Sequence, residues 1–452
     1  MARIKFLLLL ALITLGASRQ KTLAQNILET YIKRGLDSNL ALKQKVFDLK
    51  KAQLDLDRAK SLFYPQVGFN AQYTVANGGR TSELPIGDLL NPIYSTLNEL
   101  TSSTKFPQIQ NQNIQFLPND FNDTKLEVSL PVYNPQLKYN KQIKEELIHG
   151  YEADILLYKR ELVNNIKQAY YKYLQATKAM DIYNNALSTV NESLRFNEKL
   201  VKNNTATKEV VLKAKAQVSQ VQTSIAEATQ NQQNAAAYFN FLLNQSLENP
   251  IDFDSTILQS LQQQIVKVDL PTNREELTKI KSAQKTLETN LKLNETFKLP
   301  VVSAFYNVGF QGYGYKFNDK QFYQLAGLQL NWSIFKGNDN KIKVKQTQND
   351  IDAIKNEYTD VENQLRLQVN TTFNTYKAAL EALNSTADGV ASNKEAYRLT
   401  ELRYKQGQAL QIELIDARVQ LTSSEIQFSL AQLAVLNKAA ELERVMATYN
   451  IQ

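Results

Sequence analysis

The chain has 452 residues, with 52 Lys and Arg against 45 Asp and Glu, one His (His149), one Trp (Trp332) and no Cys. Without Cys there is no disulfide, no thiolate metal site, no Cys nucleophile and no lipid-modified N-terminal Cys. The single His, in a polar helical context beside Gly150, excludes a His-cluster metal site within one chain, and no cofactor site is expected.

Residues 1–24 read as a secretory signal peptide. Arg3 and Lys5 form its charged start, Phe6 to Leu15 its apolar core, and Thr22-Leu23-Ala24 its cleavage site. The apolar run of about ten residues is too short to span a bilayer. Removing the segment takes away Arg3, Lys5, Arg19 and Lys21 and lowers the net charge from +7 to +3. The basic balance is therefore no argument for a nucleic-acid partner. The mature chain has no run of about eighteen apolar residues, so no transmembrane helix is expected.

From Gln25 to Tyr64 the pattern is helical, with a break at Gly35-Leu36-Asp37-Ser38, where Asp37 or Ser38 would cap the second piece. Pro65 ends it. Val67, Phe69, Ala71, Tyr73 and Val75 then alternate with Gly68, Asn70, Gln72 and Thr74, the period of a strand with one apolar and one polar face. Residues 77–122 hold Gly78, Gly79, Gly87 and four prolines among many Asn, Gln, Ser and Thr. They read as a long loop with a short helix near Leu89–Leu100. The loop is expected to lie outside the cell and to be dispensable for assembly. Alternation resumes with Leu126, Val128, Leu130 and Val132 against Lys125, Glu127 and Ser129.

No proline lies between Pro135 and Pro250. Asn140 to Asn203 reads as one helix, roughly 95 Å long at 1.5 Å per residue. A second helix follows, with a heptad-like seam of Ala214, Val218, Val221, Ile225, Ala228, Ala235, Phe239 and Leu242. So thin a seam builds no globular core and requires neighbouring helices. Asn249 to Pro271 is an irregular connector. Thr272 and Glu275 fit a capping box, and that helix ends near Pro300. Val302 to Phe310 and Ala326 to Ile334 alternate as two more strands, with Phe305 breaking the polar face. Asn340 to about Gln406 and Leu410 to about Ala447 form a second pair of long helices.

The order is thus repeated: residues 25–248 form one module, 249–271 the connector and 272–452 the second module. Leu200–Lys215 aligns with Arg403–Arg418 at an offset of 203, setting Lys202 on Lys405, Asn204 on Gly407 and Val211 on Leu414. Asn and Gly tolerate the left-handed conformation that closes a helix. Each copy therefore predicts a turn between two long helices. Four amphipathic strands match a membrane β-barrel, with the tyrosines and the tryptophan as interfacial girdles. They are too few to close a barrel alone, and open edges are not tolerated in lipid. Several chains must pool them.

With these features the chain resembles the TolC-type outer-membrane efflux proteins. The resemblance rests on the duplicated helix–strand–strand–helix order, on Pro65 and Pro300, and above all on Arg403-Tyr404-x-x-Gly407 followed by Ile412-Glu413-Leu414-Ile415-Asp416-Ala417. It implies an α+β membrane protein and a homotrimer. Long antiparallel coiled helices would form a trimeric α-barrel across the periplasm. Four strands per chain would enter a shared twelve-stranded transmembrane β-barrel in the outer-membrane lipid. It implies an exit duct that works with a periplasmic adaptor and an inner-membrane pump. The turns at Asn203, Asn204, Tyr404 and Gly407 would form the periplasmic tip and gate. Glu413 and Asp416, three apart on one helix face, would ring the pore constriction, attract cations and raise one another's pKa by crowding.

The sequence departs from the family at Ala409 and Val210, where an Arg and an Asp often hold the tip closed. A different latch through Lys208, Glu209 or Lys213 is the open alternative. A periplasmic coiled-coil scaffold without a pore would explain the long helices and leave the strands unexplained. No Ser/His/Asp set, metal cluster or phosphate-binding glycine loop suggests an enzyme.

Overall fold

The computed structural model describes residues 27–252, 257 and 274–451. The signal peptide, Thr272 and most of the connector lie outside the described residues. The chain divides into two compact units, one of Met1–Gln53, Glu146–Lys285 and Ile351–Gln452, the other of Leu54–Glu145 and Thr286–Asp350. Each unit draws on both sequence modules.

The first unit is helical. A helix over residues 27–38 (α1) leads through Asn39 into α2 (Leu40–Ser61). Asn39 makes the cap: its Oδ1 accepts the Leu42 amide at 3.0 Å. The expected caps Asp37 and Ser38 lie inside α1 instead, and Ser38 Oγ donates to the carbonyls of Arg34 and Leu243. Gly35 is no breaker. It sits where a Cβ would come within 2.3 Å of Ile166 Cδ1, so the missing side chain lets α1 approach its neighbour.

That neighbour is α4 (Pro135–Lys202). Its start is encoded locally. Pro135 occupies the first turn, where no amide partner is needed, and Asn134 Oδ1 accepts the amides of Gln136 and Leu137 at 3.1 and 3.4 Å. The partners are α5 (Lys208–Leu242), α7 (Asp339–Lys405) and α8 (Gln411–Val445). On α5 the buried residues Ala214, Val221, Ala228, Ala235 and Leu242 recur every seven residues, as the seam predicts.

A core does form at one level of the bundle. Leu28, Tyr31 and Ile32 of α1 meet Leu162, Ile166 and Tyr170 of α4, Phe239 and Leu242 of α5, and Ile251 and Ile451. Tyr31 packs edge-on against Phe239, with centroids 5.1 Å apart. Charges frame this level. Asp154 of α4 takes Lys45 of α2 at 2.6 Å and Lys279 of α6 (Glu275–Glu295) at 2.7 Å. Glu275, the described member of the expected capping box, binds Arg160 at 2.6 Å.

Burial alone would raise the Asp154 carboxyl, but the two ammonium groups outweigh it and hold it below the usual range. A depressed carboxylate contributes stability that is present above its unfolded value, about 3.9, and is lost as pH falls through the folded value. Asp154→Asn should therefore flatten the acid limb of a melting-temperature profile below about pH 4 while costing stability at neutral pH. An unchanged acid limb would dissociate Asp154 from acid stability.

The second unit carries β1 (Gln66–Thr74), β4 (Phe121–Tyr133), β5 (Val301–Tyr313) and β6 (Phe322–Asn331) in one antiparallel sheet, in the order β1-β4-β5-β6. β6 ends at Asn331, opposite Val301, because Pro300 offers no amide to continue the ladder. Trp332 and Ile334, expected in the strand, thus fall beyond its end. Phe305 on the polar face is explained by its partner Gly327, whose missing Cβ leaves the space the ring fills.

The loop between β1 and β4 is folded. β2 (Thr81–Leu84) pairs with β3 (Gln112–Gln115), and α3 (Ile86–Leu100) lies between them in sequence. Three asparagines hold it by mimicking backbone. Asn91 accepts from Ile109 N and donates to Ile109 O. Asn98 does the same with Phe106, and Asn111 accepts the Asp88 amide at 3.1 Å.

Candidate functional site

The two turns singled out by the 203-residue offset are built alike. α4 ends with Asn204 at φ +56°, and α7 ends with Gly407 at φ +76°. In the first, Asn204 N donates to Val201 O and Thr205 N to Leu200 O, both at 3.0 Å. In the second, Gly407 N donates to Tyr404 O and Gln408 N to Arg403 O, at 3.0 and 2.8 Å. This paired bonding is a Schellman closure, and it needs one left-handed residue. Asn203 is exposed in the turn beside Asn204.

Two hydrogen bonds bridge the turns. Tyr404 Oη donates to Asn197 Oδ1 at 2.5 Å, joining α7 to α4. Gln411 Nε2 donates to Val210 O at 2.7 Å, joining α8 to α5. The Tyr404 ring also meets Phe196 edge-on at 5.6 Å, and burial pushes its phenol above the usual value. Asn197 is wholly buried, and its Nδ2 has no partner among the described residues.

Sequence reasoning reached Tyr404 and missed Asn197 and Gln411. A signal was present for Asn197. It falls on the seven-residue row of α4 that includes the buried Ala176 and Val190, and a polar residue in such a row sets register. Tyr404→Phe should cost about 1–3 kcal/mol locally, because it leaves a buried amide side chain unpaired. Hydrogen exchange in residues 193–205 and 400–411 should accelerate. A compensating Asn197→Leu in the same chain should restore protection. Equal exchange in Tyr404→Phe and the parent would show that the bond holds nothing.

Glu413 and Asp416 lie on one exposed face of α8, continued by Gln420, Ser423 and Gln427. Arg403 stands 3.9 Å from Glu413 and donates to Gln408 O at 3.2 Å. Asp416 has no ion-pair partner among the described residues. The alternative latch residues pair with each other: Glu209 and Lys213, one turn apart on α5, meet at 2.7 Å.

The sheet, in the other unit, is a second candidate site. Its rows sort by chemistry. Phe69, Leu126 and Val308 align across three strands, as do Val67, Val128, Tyr306 and Ala326. On the other face Gln72, Asp123 and Gln311 align, then Asn70, Lys125 and Gly309, then Gly68, Glu127 and Asn307. The apolar face is open: Phe69 is 70% and Leu328 74% exposed. Exposed aromatics mark both ends, with Tyr64, Tyr133, Trp332 and Phe335 at one and Tyr73, Tyr313 and Phe322 at the other. β1 alone runs about 30 Å, which at a tilt near 40° gives an apolar band roughly 23 Å tall, the height such barrels present to lipid. β1 and β6 each leave one edge unpaired. Among the described residues no helix is long and apolar enough to cross a membrane.

Residues 269–448 match the family model described as outer membrane efflux protein. No curated protein matches the sequence. Solved structures share the fold. CusC aligns with a TM-score of 0.76 at 14% identity, over 93% of this chain and 92% of that one. The Vibrio cholerae outer membrane protein VceC aligns at 0.71 and 15% identity, over 94% and 97%. The open state of the Neisseria gonorrhoeae MtrE outer membrane channel aligns at 0.72 and 17% identity, over 93% and 88%.

Proposed function

From the membership of its residues 269–448 in the outer membrane efflux protein family, we propose that this chain is the outer-membrane exit duct of a tripartite efflux or type I secretion system. Three copies pool their four-stranded sheets into one twelve-stranded barrel, and their long helices into a tunnel. A periplasmic adaptor docks the tunnel to an inner-membrane pump, which supplies the energy. The duct itself conducts passively.

The observation that carries this reading is the sheet. It has an exposed apolar face, a polar face with Asp123, Lys125 and Glu127 on one strand, and two free edges. In water such a sheet would aggregate. In lipid, unpaired edges are not tolerated. Joining β6 of one copy to β1 of the next removes both problems. A scaffold without a pore leaves this sheet without a purpose.

The mature protein should be extracted from the outer membrane by detergent as a heat-resistant trimer, measured by native mass spectrometry. A monodisperse monomer with an intact β-sheet signal would sink the proposal.

A further inference from the structure

A cavity near the two turns goes unused in this reading. It lies where α4, α5, α7 and α8 meet and measures about 30 Å³. A water needs roughly 10–15 Å³ on that measure, so there is room for two waters or one small ion. Val190 and Leu414, both buried, supply apolar wall. The polar lining is unusual, because each helix contributes one hydrogen-bond donor: Ser193 from α4, Gln217 from α5, Tyr397 from α7 and Arg418 from α8.

None of these four side chains has a hydrogen-bond partner among the described residues. The contrast with Thr189, in the same wall, is direct. Its hydroxyl donates to Asn185 O one turn back, at 3.0 Å. Ser193 has the same recourse, common for a hydroxyl inside a helix, and leaves it unused. Arg418 Nε is buried without an acceptor. The guanidinium lies over the Tyr397 ring, 5.5 Å from its centroid, which fixes the charge beside the cavity. Arg418 makes no ion pair among the described residues. Asp416, two residues before it, is on the exposed face of α8.

The donor set selects the class of ligand. A metal ion requires carboxylate, imidazole or carbonyl ligands, and the cavity lining supplies no carboxylate or imidazole. Water would satisfy the hydroxyls and leave the partly buried guanidinium without a counter-charge, which is costly. A small anion accepts from all four donors and offsets the charge as well. The volume favours a monatomic anion over a tetrahedral oxoanion.

We propose that this cavity binds a halide ion, held by Arg418 with Ser193, Gln217 and Tyr397. The ion ties the α4–α5 pair to the α7–α8 pair about two turns from the helix ends at Lys202 and Gln411. The site is complete within one chain, so it stands or falls independently of the pooled sheet.

Crystals of the full-length protein grown from detergent in sodium bromide test the site directly. An anomalous peak is expected in the cavity, within about 3.5 Å of Arg418 Nε. An ordered cavity without a peak overturns the proposal. So do bromide peaks confined to exposed lysines, an adventitious ion only, or a neighbouring copy's carboxylate seated on Arg418. The solution arm is hydrogen exchange at constant ionic strength, with sodium bromide replacing sodium gluconate. Protection in residues 186–197 and 411–421 should rise saturably, by about tenfold when bromide reaches ten times its dissociation constant. Arg418→Met should abolish that dependence and Gln217→Leu should weaken it. If Arg418→Met does not fold, Gln217→Leu carries the comparison. Equal protection of the parent in the two salts, or a bromide response unchanged in the variants, overturns the halide site.

Discussion

Replacing Glu413 with Gln and Asp416 with Asn together should remove most of the cation preference of the proposed duct in planar bilayers, with little change in folding. Both side chains are exposed in the single chain. Asp416 has no ion-pair partner among the described residues, and Arg403 stands 3.9 Å from Glu413, a distance worth little at an exposed site. Three copies would bring six carboxylates to one ring. A unit charge about 4 Å away is worth ~1 kcal/mol in water and ~4 kcal/mol near a protein surface of low effective dielectric. The selectivity change should therefore be tenfold or more, since ~1.4 kcal/mol is a factor of ten. Block by divalent cations from the periplasmic side should weaken in parallel. Glu401 and Glu425 are the controls. Glu401 is held by Lys405 at 3.0 Å, and Glu425 is half-buried. If the controls change selectivity as much, the proposed constriction is not at Glu413 and Asp416.

Arg274→Ala should be the most destabilising single change in the helical unit. Arg274 is 1% exposed. Its Nε donates to one carboxylate oxygen of Glu276 at 3.0 Å and its Nη2 to the other. Its Nη1 donates to the carbonyls of Arg444 and Val445, closing the last turn of α8. Burial would raise the Glu276 carboxyl, but the guanidinium outweighs it and keeps it ionised below the usual range. Removing one member of a buried pair leaves the other charge uncompensated, at a cost of roughly 3–5 kcal/mol. Two backbone carbonyls at a helix end lose their donor as well. Lys should not rescue, because it lacks the planar fork that reaches a carboxylate and a helix end together. Thermal unfolding of the two variants in detergent decides this. A melt within a degree of the parent for Arg274→Ala would show that the clamp carries no load.

Much of the architecture was legible because it is periodic. A seven-residue apolar recurrence from Ala214 to Leu242 and a two-residue alternation from Val67 to Tyr73 depend on local geometry alone. The Asn204 and Gly407 turns were legible because left-handed backbone narrows residue choice to a few types. Details set by distant partners stayed hidden. Gly35 looked like a breaker because the Ile166 methyl that demands it lies 131 positions away. Phe305 looked misplaced until Gly327 stood opposite. The loop's helix was placed near its true position, but its start at Ile86 and the β2–β3 ribbon depend on asparagine side chains bonding backbone up to twenty-three residues away. At the candidate constriction the acidic pair came from the family resemblance, since spacing alone gives only a shared helix face. The Tyr404–Asn197 bridge was not legible, because it joins residues 207 apart.

The same closure recurs at the other ends of the paired helices, with a consequence for the order in which the chain folds. Asn244 at φ +51° and Ala447 at φ +54°, again 203 residues apart, close α5 and α8 through matching bonds. Asn204, Gly407 and Asn244 accept that backbone readily. Ala447 does not, since a Cβ in the left-handed region costs roughly 1–2 kcal/mol. The ends of α5 and α8 are both clamped from outside: Ser38 and Asn39 donate to the carbonyls of Leu243 and Leu242, and Arg274 to those of Arg444 and Val445. The three corners with Asn or Gly are nonetheless favoured by their own residues. The fourth has to wait for α6 to arrive. The end of α8 should accordingly be the last part of the bundle to gain hydrogen-exchange protection during refolding, and the first to lose it when the clamp is cut.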